Sequence, residues 1–193
     1  MTASRTLFLR QLIRNPRQVS AIAPSSPFLA RAMARQIPDP HARVVEFGPG
    51  TGALTRGILA CGVPPANLTL LELDPVFARA LAAQFPGVRV LNAGADRAAD
   101  HCEPGVGAVI SGLPLLSMPD PIAFAIVRAA FAVLAAGAPL IQFTYGRRPS
   151  IAQTIIEGLD LRAEERQFVP LNLPPARVHC YYRRSDTPLP RHG

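Results

Sequence analysis

Acidic residues are missing from the first 35 positions of this 193-residue chain, and lysine is missing from all of it. The chain carries a formal net charge of +7, and its 20 basic residues are all arginines. Six of these arginines lie in residues 1–35, so that segment carries +6 and residues 36–193 carry only +1. A basic surface for nucleic acid spread over the whole fold is therefore not expected.

Cysteine is scarce as well. Cys61, Cys102 and Cys180 are odd in number and far apart. This pattern fits neither a disulfide framework nor the closely spaced ligands of a cysteine metal site. We interpret the three thiols as inert residues of a reducing compartment.

Long apolar runs are also lacking. Arg10, Arg14 and Arg17 interrupt the first apolar segment too early for a secretory signal peptide. The longest stretch without a charge, residues 129–146, contains Gly137-Ala138-Pro139, which would break a membrane helix. The sequence therefore predicts a cytoplasmic protein without a transmembrane span.

Apolar residues nevertheless make up 49% of the chain, which is enough for the core of one domain. From Val44 onward, β-rich runs alternate with helical patterns, as in βαβ units around a parallel sheet. Strands are predicted at residues 43–47, 68–73, 88–91, 108–111 and 140–145, and helices at residues 4–14, 26–35, 53–61, 75–84, 121–135 and 150–157. Residues 165–171 and 177–184 predict a closing hairpin with a turn at 172–175. This pattern divides the chain into a helical segment at 1–35, an α/β domain at 36–184 and a tail at 185–193.

The sharpest motif is VVEFGPGTG, residues 44–52, an apolar strand that leads into a glycine-rich turn and a helix. Gly48 and Gly50 would let a ligand approach the backbone, and the helix that follows offers free N–H groups. Glu46 would repel a pyrophosphate but suits a ligand that carries an ammonium or sulfonium charge. The alternative is a tight turn that binds nothing.

Two further acids follow predicted strands. Glu72, about twenty residues past the glycine turn, can accept both hydroxyls of a ribose, and Asp74 is its rival, although Asp74 before Pro75 also suits a helix cap. Asp96 follows the third strand and could bond an adenine amino group, or it is a surface acid.

These features together resemble the class I S-adenosylmethionine-dependent methyltransferases over about residues 40–184. The resemblance implies an α/β, Rossmann-like fold with a seven-stranded, mostly parallel sheet and an antiparallel C-terminal hairpin. It implies S-adenosylmethionine as cofactor, S-adenosylhomocysteine as product and no metal. The cofactor-binding residues that it implies are Glu46, Gly48, Pro49, Gly50, Thr51, Gly52, Glu72, Leu73, Ala95, Asp96 and Ser111.

The acceptor site should follow the fourth strand. Gly112-Leu113-Pro114-Leu115 stands where ribosomal RNA adenine dimethyltransferases carry Asn-Leu-Pro-Tyr, so the amide and the stacking ring for a nucleobase are absent. Such a site suits an alkyl amine, unless these residues form only a turn. Tyr145 is predicted to orient the amine or to be a core residue. Arg147 and Arg148 are predicted to bind a lipid phosphate or to be solvated.

A helix over Ser4–Arg17 would place apolar residues on one side and arginines on the other. Such a helix suits the interface of an anionic membrane, or it packs its apolar face on the fold. The predicted membrane-binding residues are Arg5, Phe8, Leu9, Arg10, Leu12, Ile13, Arg14 and Arg17.

The segments FLRQLIRNPRQVSAIAPSS, EFGPGTG, LELDPVFARAL and QFTYG resemble the bacterial phospholipid N-methyltransferases of the rhizobial type. This resemblance implies methylation of phosphatidylethanolamine, through mono- and dimethyl intermediates, to phosphatidylcholine. The expected partners are an anionic membrane surface and the phospholipid, with no nucleic acid, and the expected location is the inner face of the cytoplasmic membrane. The alternatives are an RNA adenine N6-methyltransferase and a non-catalytic, cofactor-binding membrane protein; the sequence leaves the oligomeric state open.

Overall fold

The computed structural model of the protein describes residues 26–187 and Leu189. The predicted helix over Ser4–Arg17, with all its candidate membrane-binding residues, lies outside the described residues. None of the helices in the described part is long and apolar enough to cross a membrane.

Seven strands and six α-helices alternate along the described chain. The helices are α1 (Pro27–Ala34), α2 (Ala53–Ala60), α3 (Pro75–Gln84), α4 (Ala98–His101), α5 (Asp120–Val133) and α6 (Gln153–Gly158). The strands are β1 (Val44–Phe47), β2 (Leu68–Leu71), β3 (Arg89–Leu91), β4 (Ala108–Ser111), β5 (Leu140–Thr144), β6 (Leu161–Val169) and β7 (Ala176–Arg183).

The strands form one sheet in the order β3-β2-β1-β4-β5-β7-β6. Strands β1 to β5 are parallel, and β7 pairs antiparallel with both β5 and β6. The predicted Rossmann-like, seven-stranded fold with an antiparallel hairpin is confirmed. Because the strand order reverses at β1, the carboxyl ends of β1 and β4 flank the crevice in which such sheets bind ligands.

Both faces of the sheet are covered. One face packs Val45, Phe47 and Tyr181 into a core with α5, and the other packs Val44 and Tyr182 into a core with α1 and α2. Ser26 caps α1, its hydroxyl accepting from the Leu29 amide at 3.2 Å, as the Ser-Pro pair predicts.

The hairpin boundaries were predicted too late. Strand β6 begins at Leu161 rather than Glu165, because the charged run 162–166 reads as a loop but forms a solvent-facing edge strand. Its carboxylates are paired there: Glu164 with Arg162 and Arg166, and Glu165 with Arg177. Helix α6, in contrast, begins at Gln153, later than the predicted residue 150, and α4 was not predicted.

Candidate functional site

The glycine-rich turn after β1 depends on three left-handed residues. Gly48, Gly50 and Gly52 have φ angles of 66°, 55° and 77°. A Cβ at Gly48 would lie 2.3 Å from the Leu113 side chain, and one at Gly52 would lie 2.5 Å from Phe85. At Gly50, in contrast, no described atom lies within 4 Å of such a Cβ. Two glycines therefore allow close packing, whereas Gly50 borders open space that a ligand can fill.

Glu46 is buried beneath this turn, with an exposed fraction of 0%. Its Oε2 accepts from the Thr55 hydroxyl of α2 at 2.7 Å, and its Oε1 has no partner among the described residues. Burial raises the pKa of Glu46 to about 8, against the hydrogen bond from Thr55, which lowers it. An unpaired buried carboxyl oxygen of this kind favours a cationic ligand group beside it.

Glu72 lies just past β2 and contacts the same turn. Its Oε2 accepts from the Gly50 amide at 3.0 Å and its Oε1 from the Asp74 amide at 2.9 Å. Each oxygen retains a second lone pair for a ligand hydroxyl. Burial raises the pKa of Glu72, and the two amide bonds oppose that effect. Asp74 caps α3, because its Oδ1 accepts from the Val76 amide at 2.7 Å.

The remaining predicted cofactor residues surround this region in different ways. Pro49 and Ala95 are buried, Leu73 is half-buried against the core, and Thr51 and Asp96 are exposed. Asp96 lies in the short helix that follows β3, on the carboxyl side of the sheet. The backbone thus places β1, β2 and β3 residues along one edge, as a nucleoside-binding crevice requires.

The predicted acceptor segment follows β4 and has little room. A Cβ at Gly112 would lie 3.1 Å from the Gly48 carbonyl oxygen and 3.3 Å from Leu54. Leu113 and Leu115 are buried in the core, and Pro114 is half-buried. A side chain at position 112 would therefore need a small shift of the glycine turn or of Leu54.

Gln142 on β5 fixes this segment, and it is not among the residues predicted from the sequence. Its Nε2 donates to the Leu113 carbonyl at 2.8 Å and to the Ser111 hydroxyl at 3.2 Å. The hydroxyl of Ser111, a predicted cofactor residue, also accepts from the Leu113 amide at 3.3 Å. A glutamine within the apolar run LIQFT was the signal, since a buried amide needs partners.

Tyr145 directly follows β5 and is half-buried. Burial raises the pKa of the Tyr145 phenol above its ordinary value, against the Asn172 side chain, which lies within hydrogen-bonding reach and lowers it. The hydroxyl is therefore protonated at neutral pH and can orient a neighbouring group by hydrogen bonding. Phe143 packs edge-on against its ring, with centroids 5.3 Å apart. Arg147 and Arg148 are exposed just beyond it.

Three aromatic side chains of β7 are buried: His179, Tyr181 and Tyr182. Tyr181 and Tyr182 face opposite cores, as the alternation along a strand predicts. His179 is buried and its Nδ1 has no partner within the described part of the chain. Burial lowers the pKa of His179, so its ring is neutral at pH 7. Across residues 26–187, no three His, Cys, Asp or Glu side chains are grouped so as to hold a metal ion.

Known proteins resemble this chain in sequence and in fold. No family model matches the chain. A 1,6-didemethyltoxoflavin-N1-methyltransferase from Burkholderia thailandensis, solved with bound S-adenosylhomocysteine, shares the fold with a TM-score of 0.67. The two are 13% identical, over 93% of this chain and 88% of that chain.

Two curated proteins are related in sequence. A ribosomal RNA small subunit methyltransferase A from Maridesulfovibrio salexigens is 51% identical over 47 residues, which is 24% of this chain and 17% of that protein. An ornithine lipid N-methyltransferase from Singulisphaera acidiphila is 33% identical over 190 residues, 90% of this chain and 93% of the relative. On this nearly full-length relationship, the chain belongs to the lipid N-methyltransferases, within the class I enzymes that use S-adenosylmethionine as cofactor.

Proposed function

We propose that this protein transfers methyl groups from S-adenosylmethionine to the amine of phosphatidylethanolamine and of its mono- and dimethyl derivatives, which leads to phosphatidylcholine. The observation that carries the proposal is the nearly full-length relationship to a lipid N-methyltransferase. The reaction takes place at the inner surface of the cytoplasmic membrane, where the lipid headgroup enters the crevice beside the glycine turn.

The residues of the crevice fit the cofactor. The Glu46 Oε1, which has no partner in the part of the chain that the structure describes, suits the ammonium of its methionine part, and the second lone pairs of the Glu72 oxygens suit the ribose hydroxyls. Open space beside Gly50 leaves the backbone accessible to that ligand. The other predicted contacts, which include Pro49, Thr51, Gly52 and Leu73, lie along the same edge of the sheet. When bound, S-adenosylmethionine supplies a methyl group that is already activated by its sulfonium.

The chain's own residues mainly orient the acceptor. The lipid ammonium must release a proton to solvent before the transfer, and its nitrogen lone pair must then point at the methyl carbon; alignment of this kind can account for much of the rate. The segment Gly112–Pro114, held by Gln142, forms the floor beside the glycine turn and contributes no base. The protonated Tyr145 hydroxyl accepts a hydrogen bond from the amine, or its ring contacts the ammonium form by a cation–π interaction. The exposed Arg147 and Arg148 bind the lipid phosphate.

A nucleobase acceptor is the competing function, and the local match to a ribosomal RNA methyltransferase raises it. The sequence argues against it, because Gly112 has no amide to bond an exocyclic nitrogen, and a side chain there would be in tight contact with the Gly48 carbonyl oxygen and Leu54. Buried Leu115 likewise leaves no ring for stacking in its place.

A second lipid acceptor is favoured by the related protein, which is an ornithine lipid N-methyltransferase. An ornithine lipid also presents a primary amine but carries no phosphate in its headgroup. The pair Arg147 and Arg148 therefore discriminates the two acceptors. Replacing both arginines with glutamine should raise the KM for phosphatidylethanolamine and leave the KM for an ornithine lipid unchanged.

The deciding experiment uses S-adenosylmethionine labelled in its methyl group. The protein is incubated with vesicles of phosphatidylethanolamine, with vesicles that contain an ornithine lipid, and with RNA. Label in the phosphatidylethanolamine fraction supports the proposal, label only in the ornithine lipid replaces the acceptor, and label only in RNA overturns the function. A Gly50→Val variant serves as the control without cofactor binding, since its side chain would occupy the open space at a φ of 55°.

A further inference from the structure

Exposed apolar side chains are concentrated at the carboxyl edge of the sheet, which is the side on which the parallel strands end. Val76 follows β2, Leu116 follows β4, and Leu171 and Leu173 lie between β6 and β7, so all four lie beyond the carboxyl ends of parallel strands. Strand β6 runs in the same direction as β5, because β7 pairs antiparallel with both of them. The exposed Leu189 lies at the opposite edge, where its amide bonds the Gly137 carbonyl.

The turn between β6 and β7 is the most prominent part of this edge. Leu171 is 69% exposed and Leu173 is 87% exposed, whereas Asn172 between them is only 4% exposed. The Asn172 side chain accepts from the Ser26 amide at 3.3 Å and donates to the Pro174 carbonyl at 2.7 Å. The buried amide thus fixes the backbone of the turn, and both leucines are held in solvent. A contiguous exposed apolar patch on a protein surface usually marks an interaction site.

Arginines and further apolar side chains flank this turn. Phe28, Arg31 and Arg35 of α1 line a hollow of about 240 Å³ together with Phe168 and Leu171. Residues 26–38 and 166–184 contain no acid, and neither Arg31 nor Arg35 forms an ion pair with any described residue. We call the set Phe28, Arg31, Arg35, Phe168, Leu171 and Leu173 the hairpin patch.

We propose that the hairpin patch docks on the surface of an anionic phospholipid bilayer. Leu171 and Leu173 enter the boundary between headgroups and acyl chains, and Arg31 and Arg35 lie among the lipid phosphates. This pairing of apolar tips with nearby cations is the chemistry of an interfacial membrane contact. The inference rests on the proposed function, because a lipid acceptor requires the crevice to face a bilayer.

The position of the patch gives the docking a consequence. Asn172 contacts both the start of α1 and Tyr145, the residue predicted to orient the amine. Docking at the turn therefore holds the carboxyl edge of the sheet, and with it the crevice, against the lipid headgroups. The contact is separate from the predicted N-terminal helix and sets the orientation of the domain.

The test compares full-length variants in binding to vesicles of phosphatidylcholine and phosphatidylglycerol. Because both leucines are exposed, Leu171→Ser with Leu173→Ser should leave the fold intact, which thermal unfolding checks. Co-sedimentation should show that the vesicle partition coefficient of this variant falls at least about tenfold. The matched control Leu189→Ser, at the opposite edge, should bind like the wild type. If the double leucine variant binds the vesicles as strongly as Leu189→Ser does, the proposal is overturned.

A site-specific probe makes the result independent of overall affinity. Cys61 is the half-exposed cysteine, and Cys102 and Cys180 are buried, so Cys61→Ser provides a background for labelling. An environment-sensitive fluorophore on Leu173→Cys should shift to the blue on addition of vesicles, and the same probe on Leu189→Cys should not. No shift at position 173 contradicts insertion of the turn.

Methyl transfer to lipid in micelles and in vesicles distinguishes the docking surface from the proposed function. The double leucine variant should methylate phosphatidylethanolamine dispersed in detergent micelles at the wild-type rate and lose activity on vesicles. If the double leucine variant methylates lipid at the wild-type rate in both micelles and vesicles, only the docking surface is contradicted. No methyl transfer to lipid by the wild type in either form contradicts the proposed function. A change from dimer to monomer in the variant, seen by sedimentation equilibrium, would assign the patch to a second copy of the chain and overturn the proposal.

Discussion

Glu46 combines complete burial, an oxygen that has no partner among the described residues, and a pKa of about 8, so the carboxyl group is mostly protonated at pH 7 before ligand binding. If Glu46 pairs with the ammonium of the cofactor, binding must release its proton. We predict release of roughly 0.9 proton for each cofactor bound at pH 7. Titration calorimetry in buffers of different ionisation enthalpy measures this number. Glu46→Gln should bind more weakly and release none, and an unchanged release would place the titrating group elsewhere.

The same residue makes stability depend on pH. The pKa of Glu46 is raised from 4.5 to about 8 by folding, so between these values the folded state binds more protons than the unfolded state. The free energy of unfolding therefore decreases as pH rises through this window. We predict that this carboxyl group lowers the stability by about 3 kcal/mol between pH 5 and pH 8. Urea unfolding should show that the decrease is much smaller in Glu46→Gln, whose neutral amide keeps the Thr55 hydrogen bond. Equal decreases in both proteins would contradict the assignment.

At the scale of elements, the end of β2 holds the glycine turn in place through Glu72. Glu72→Ala removes the proposed acceptor for the ribose and also frees the Gly50 and Asp74 amides. We predict that the affinity for S-adenosylmethionine falls at least tenfold, which corresponds to about 1.4 kcal/mol or more. Calorimetry measures the affinity, and Asp74→Asn, which keeps the cap of α3, is the matched control. Unchanged affinity in Glu72→Ala, with a loss in Asp74→Asn, would transfer the ribose role to Asp74.

Elements differ in how far their sequence predicts them. β4 and α3 were predicted to the residue, because an apolar run and an Asp-Pro start are local signals. The start of β6 was missed because the local charge of residues 162–166 hides an edge strand that depends on its pairing with β7. Gln142 and Asn172 were missed for the same reason, since their partners are 29 and 146 residues away in sequence. The motif residues of the crevice are readable locally, whereas the residues that support them are defined by tertiary contacts.

Across the whole molecule, charge and apolar surface are unevenly distributed. Residues 1–35 carry most of the net charge of +7, and the exposed leucines of the hairpin patch lie beside α1, at the end of that segment. Arg31 and Arg35 belong to both the basic segment and the hairpin patch. The two proposed membrane contacts, the predicted helix over Ser4–Arg17 and the hairpin patch, therefore both combine apolar side chains with arginines but differ in charge, because the helix segment has four arginines and the patch has two.

This difference predicts two components of membrane binding. Removing residues 1–17 deletes four arginines, each of which contributes roughly 1 kcal/mol near an anionic surface. At an ionic strength where the Debye length is about 10 Å, we expect the truncated protein to bind anionic vesicles at least about a hundredfold more weakly than the full chain. Its residual binding, which the leucines and the two arginines of the hairpin patch supply, should weaken less when salt shortens the Debye length to about 3 Å than binding of the full chain, which has four more arginines. Co-sedimentation at the two salt concentrations measures both components, with calorimetry of cofactor binding as the control for an intact fold. Equal binding of the two proteins at low salt would contradict the N-terminal contact, and complete loss of binding in the truncated protein at both salt concentrations would contradict the contribution of the hairpin patch.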